Sequence, residues 1–161
     1  MDQTHLHLVI THLPIFGSML GGFVLAYGLW AKSDHTKIAA YYIFIFSAIG
    51  AGIAYLTGEA AEETVETIQG VAETTIDVHE DFAVLALISL LTLGVGAILG
   101  LFLTLKKSSH AGKVAAVLFV FSLVSFVLVA RTGYLGGQIR HSEINNPTVQ
   151  NQASHAGEET E

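Results

Sequence analysis

The chain has 161 residues, seven basic and fourteen acidic, for a net charge of −7, and it contains no cysteine. Charged residues make up only 13% and hydrophobic residues 52%, against about 25% charged in an ordinary soluble domain, so a soluble globule is the wrong template. The acidic balance leaves no footprint for nucleic acid, and the lack of thiols excludes disulfides, iron–sulfur clusters, thiolate zinc sites, cysteine nucleophiles and covalent c-type haem attachment.

The segment before the first span has no basic n-region of the signal-peptide kind. Residues 6–30 follow as 25 positions without Asp, Glu, Lys or Arg. Further runs cover residues 38–58 (21 positions), 82–105 (24) and 114–130 (17). A bilayer core needs about 20 apolar residues per helix. The runs show no polar stripe of the kind a soluble helix carries. The fourth reaches full length by continuing past Arg131 through Gly133, Tyr134 and Leu135. The expected fold class is therefore all-α, a four-transmembrane-helix bundle with spans at about 8–30, 38–58, 82–105 and 114–136. It forms one membrane domain over residues 1–141, followed by a polar mobile tail over 142–161.

Four spans put the connections on two sides. Lys32, Lys37, Lys106, Lys107 and Lys113 all fall on one of them, which the positive-inside rule makes cytoplasmic. Both termini and the acidic loop 59–81 then face outward, as in a bacterial inner membrane protein. In that loop Ala61, Val65, Ile68 and Ala72 recur at helical spacing. They predict an extension of the second helix, a break near Gly70, and a lead into the third.

The two halves look alike. At an offset of 75, Lys32-Ser33-Asp34-His35 matches Lys107-Ser108-Ser109-His110, Phe44, Phe46 and Ser47 match Phe119, Phe121 and Ser122, and Thr57-Gly58 matches Thr132-Gly133. Two tandem two-helix repeats would be related by an axis along the membrane normal. His12 and His79, which open the first and third spans, would then face each other.

Of eight histidines, five (His5, His7, His12, His79 and His141) fall near the outer face. His35 and His110 read as exposed loop residues, and His155 as a tail residue without a role. Ionisable groups at the edge of a span usually face the bundle interior, and imidazole is a common ligand for haem iron and transition metals. At about 100° per residue His5 and His12 share a face, whereas His7 and His12 point about 140° apart. Pro14 suits the first turn of a helix, so the regular helix is expected to start near Leu13, with residues 5–12 free to fold back. Arg131 and Arg140 could pair with haem propionates.

His7-Leu8-Val9-Ile10-Thr11-His12-Leu13-Pro14-Ile15 resembles the opening motif of domain-of-unknown-function family 2231, small bacterial four-helix membrane proteins. In that family the first span begins with a His-Pro and then a His-Phe-Pro. His7, His12 and Pro14 match, while Leu8 stands for the first proline and Leu13 for the Phe. His79 heading the third span and Gly136-Gly137-Gln138-Ile139-Arg140-His141 after the fourth also fit. The resemblance spans about residues 5–145 and implies the architecture rather than an activity.

These residues predict a b-type haem redox protein ligated near the outer face by His12 and His79, with His141 or His7 as alternates and Arg131 and Arg140 at the propionates. One alternative is a copper, iron or zinc module using His5, His7, His12 and His79. Another is a cofactor-free accessory subunit of a larger complex. The expected partners are the lipid bilayer, a cytochrome or respiratory complex, and further copies of the chain. No nucleophile–base pair, phosphate loop or paired-carboxylate site stands out, so an electron carrier or accessory subunit is expected before a stand-alone enzyme.

Overall fold

The computed structural model describes residues 3–66 and 73–140, with side chains over 5–58 and 76–138. Five helices follow one another: α1 (Gln3–Ile10), α2 (His12–Trp30), α3 (Asp34–Glu66), α4 (Glu73–Leu105) and α5 (Ala111–Arg140). Among the described residues there is no strand. Four stretches are long and apolar enough to cross a membrane: His5–Trp30, Asp34–Gly58, Ile76–Leu105 and Ala111–Gln138. The protein is a multi-pass helical bundle suited to lipid.

The first stretch joins α1 and α2 across a single turn residue, Thr11. Pro14 has no N–H to give the Ile10 carbonyl, and its ring crowds that carbonyl, so the helix is interrupted there. Thr11 nonetheless keeps helical dihedrals (φ −61°, ψ −23°), and its N–H still reaches the His7 carbonyl at 3.0 Å. Residues 5–10 are therefore helical and do not fold back, contrary to the expectation from Pro14. One lost hydrogen bond is too little to undo a helix whose other bonds lie in an apolar medium.

α2 packs on α3, α3 on α4, α4 on α5, and α5 closes the ring against α2, while α1 lies along α3. Leu25, Tyr41, Phe44, Leu90 and Leu93 fill the centre. Phe23, Trp30, Leu56, Val95, Val117 and Val127 are all more than 60% exposed on the outside. Such a continuous apolar exterior is a liability in water and the ordinary state in lipid. Small residues let the backbones close in. A methyl on Gly21 would lie 2.6 Å from Phe44 Cε1, and one on Gly94 would lie 2.5 Å from Ala48 Cβ.

The α2–α3 and α4–α5 turns are built alike. Among the described residues, Lys32 (φ 51°) and Lys107 (φ 52°) are the non-glycine residues with positive φ. In the first turn Ser33 N–H bonds Gly28 O at 3.0 Å and Lys32 N–H bonds Leu29 O at 3.3 Å. In the second, Ser108 N–H bonds Leu103 O at 2.9 Å and Lys107 N–H bonds Thr104 O at 3.0 Å. Each is a Schellman cap, a motif that favours glycine at the left-handed position. Lys37 Nζ pairs with Asp34 at 2.7 Å beside the first turn.

Lys32→Gly and Lys107→Gly are each expected to stabilise the fold by about 1 kcal/mol by relieving the left-handed strain. Lys32→Ala, which keeps the Cβ, should give no such gain. Thermal unfolding in detergent micelles measures the difference.

Candidate functional site

The candidate histidines of α1, α2 and α4 lie at the end of the bundle away from the lysine turns. His7 projects from α1 onto α3. Its Nδ1 lies 2.9 Å from the Ala54 carbonyl and 3.3 Å from Thr57 Oγ1. A carbonyl only accepts, so Nδ1 carries the hydrogen and Nε2 keeps its lone pair. His79 near the start of α4 does the same toward α5, with Nδ1 3.1 Å from the Thr132 carbonyl. Both rings are half-buried.

Each ring lies beside a glycine four residues after its carbonyl acceptor. A methyl on Gly58 would sit 3.4 Å from His7 Cε1, and one on Gly136 would sit 3.2 Å from His79 Cε1. The arrangement of His7, Ala54 and Gly58 thus parallels that of His79, Thr132 and Gly136. The missing Cβ lets an imidazole lie low enough on the neighbouring helix to reach a carbonyl already serving that helix.

His12 is placed otherwise. Its side chain is exposed, its Nδ1 donates to Leu8 O on its own chain at 2.8 Å, and its ring stacks on Phe16 with centroids 6.2 Å apart. His7 and His79, not His12, are the imidazoles that reach a carbonyl on a neighbouring helix. His5 is exposed, as are His110 in the α4–α5 turn and His35, which lies in the first turn of α3 rather than in a loop. Arg131 is exposed at the same end as His79. Its guanidinium lies 5.7 Å from the Phe82 ring centroid and 5.4 Å from that of Tyr134. Its cation therefore rests on two aromatic faces. The Arg140 side chain, His141, the region near Gly70 and the tail lie outside the described residues.

Sequence reasoning missed the carbonyls of Ala54 and Thr132 as imidazole acceptors, and Gly58 and Gly136 as the residues that make room for the rings. The signal was the Thr-Gly recurrence, which sequence matching aligned as Gly58 with Gly133.

Among the described residues no group of three or more His, Asp or Glu side chains is placed to hold a metal ion. Two open grooves, of about 340 Å³ and 450 Å³, are lined by apolar residues around Gly52 and by α5 residues around Val120, and neither includes a histidine. The chemistry at hand is therefore two imidazoles, each fixed in one tautomer by a backbone carbonyl. Ligating histidines are oriented by this kind of outer hydrogen bond. Two ligands are few for a bare ion that wants four, but they suffice for a group that brings its own equatorial donors. The chain matches no protein-family model, no curated protein and no solved structure.

Gly136→Val is expected to push the His79 ring off Thr132 and cost about 1 kcal/mol, roughly one lost hydrogen bond. Gly137→Ala, where a methyl meets nothing within 4 Å, should raise stability by about 0.5–1 kcal/mol through helix propensity. Thermal unfolding of the two variants side by side should show shifts of opposite sign.

Proposed function

We propose that the protein is an integral membrane redox protein that would hold a b-type haem at its histidine end through His7 and His79. The observation that carries this reading is the shared anchoring of the two imidazoles, each with Nδ1–H on a backbone carbonyl and Nε2 left to ligate. A haem needs only two such ligands from the protein, and it would supply a one-electron centre when bound. His7 takes the role that the sequence assigned to His12, because the His12 ring is exposed and stacked on Phe16. Arg131 and Arg140 are the cations for the propionates, with His141 as an alternate ligand. The resemblance to family 2231 supports the same architecture.

We also infer that the halves are tandem copies. The paired left-handed lysine turns support this, as do the two parallel His–carbonyl–Gly arrangements. The lysine turns would face the cytoplasm of a bacterium, with both termini outside the inner membrane. The acids on the outer side would then favour a basic electron-transfer partner such as a cytochrome.

Protein purified in detergent from haem-replete cells should show a Soret band that moves on reduction. His7→Ala and His79→Ala should each abolish or shift it, and His12→Ala should leave it in place. Absence of the band from folded wild-type protein would end the haem reading. Stoichiometric copper, iron or zinc without porphyrin would replace it with a bare-ion module. Retention of the band in both the His7 and His79 variants would move ligation elsewhere.

A further inference from the structure

Among the described residues the buried side-chain hydroxyls have partners except at two positions, Tyr41 and Thr104. Ser18, Ser89, Ser122 and Ser125 each donate to a carbonyl on their own helix, and Ser47 donates across to Pro14 O. Thr57, Thr92 and Thr132 turn back to the carbonyl four residues earlier. Thr104 does not, although it is only 3% exposed, and its Oγ1 has no partner. Tyr41, 0% exposed, likewise has an unpartnered hydroxyl.

Both groups belong to one place. A methyl on Gly100 would lie 2.9 Å from Tyr41 Cε1 and 2.9 Å from Cζ, the carbon that bears the hydroxyl. Thr104 follows Gly100 by one helical turn on the same face of α4. Helical side chains lean toward the N-terminus of their own helix. α3 and α4 run in opposite directions, so Tyr41 leans toward the lysine turns and Thr104 leans away from them. The leans bring the two side chains toward a common level of the bundle, where neither hydroxyl has a partner. A buried hydroxyl left unpaired costs about 1–3 kcal/mol, and such pairs in native interiors are the usual seats of bound water.

We propose that Tyr41 and Thr104 form a water-binding site at the lysine-turn end of the core, where a bound water bridges the two hydroxyls. Thr104 lies in the last turn of α4, and its carbonyl accepts from the exposed Lys107. The site therefore lies next to the solvated turn and can fill from it. A bridging water gives the Tyr41 hydroxyl a proton-exchange route to that face of the membrane. The core at mid-depth, around Phe44, Leu90 and Leu93, stays dry.

X-ray radiolytic hydroxyl-radical footprinting of the full chain in lipid nanodiscs tests this, because radicals form from waters held against a side chain. Phe44, also 0% exposed, is the internal control. Tyr41 should be oxidised several-fold faster than Phe44, and Thr104→Val should bring the Tyr41 rate down toward the Phe44 rate while lowering the melting temperature. Equal rates at Tyr41 and Phe44 in the wild type would overturn the site. So would a Tyr41 rate unchanged by Thr104→Val, or a rise in melting temperature on that substitution. The wild-type ratio decides the matter by itself if the variant fails to fold.

Discussion

The hydrocarbon core of a bilayer offers no hydrogen bonds, so every polar group within it must find its partner in the chain. That constraint selects helices for the four spans and then reaches into the side chains. The buried serines are tolerated because each hydroxyl shares a carbonyl on its own helix or, for Ser47, on a neighbouring one. It also governs the histidines. His7 and His79 can sit half-buried because each finds a carbonyl with a spare lone pair on a neighbouring helix. The candidate site thus follows the rule that builds the fold, with the second ring nitrogen of each imidazole outside that carbonyl bond.

Close helix approach makes those carbonyls reachable. A helix backbone is normally screened by its own side chains, and a carbonyl that already accepts its i+4 N–H is hard to reach from the side. Glycine at that i+4 position removes the screen. Gly58 does so for Ala54 and Gly136 for Thr132, and in each case the imidazole occupies the room where a Cβ would stand. The same device, without a polar partner, seats Phe44 against Gly21 and Tyr41 against Gly100. Small residues set the packing and the ligand geometry together, so a substitution at one of them acts on both.

Much of the architecture was legible in the sequence. The four charge-free runs correspond to the four membrane-length stretches, and the lysine-bearing loops correspond to tight turns. The site was less legible. The 3.6-residue period separates His7 from His12 in direction, but it does not say which of the two faces inward. In a soluble helix the apolar side would settle that. Here Leu8, Val9, Leu13 and Phe16 are apolar and exposed, so the lipid face and the core face read alike. Inward direction is set by small residues and polar partners, and those become visible only once the helices are paired. The register between halves was hidden for a related reason. Apolar letters match at many offsets, and the alignment that fits the lysine turns pairs Gly58 with Gly133, whereas the imidazole contacts pair it with Gly136.

The two lysine turns show stability yielding to topology. At each Schellman position glycine would adopt the left-handed conformation freely, whereas lysine bears a strain of about 1–2 kcal/mol. A bundle of four apolar helices, however, has nothing in its hydrophobic pattern to say which way up it should insert. Charge in short loops supplies that information, and a turn this short has few positions to hold it. Ser33 and Ser108 are committed to capping bonds, with Ser33 Oγ receiving the Thr36 N–H and Ser108 Oγ the His110 N–H. Asp34 is committed to Lys37. The left-handed residue points its side chain out of the turn and is the natural place for a positive charge. The strain at Lys32 and Lys107 thus goes with a charge carried at the turn, at the end of the bundle opposite the candidate site.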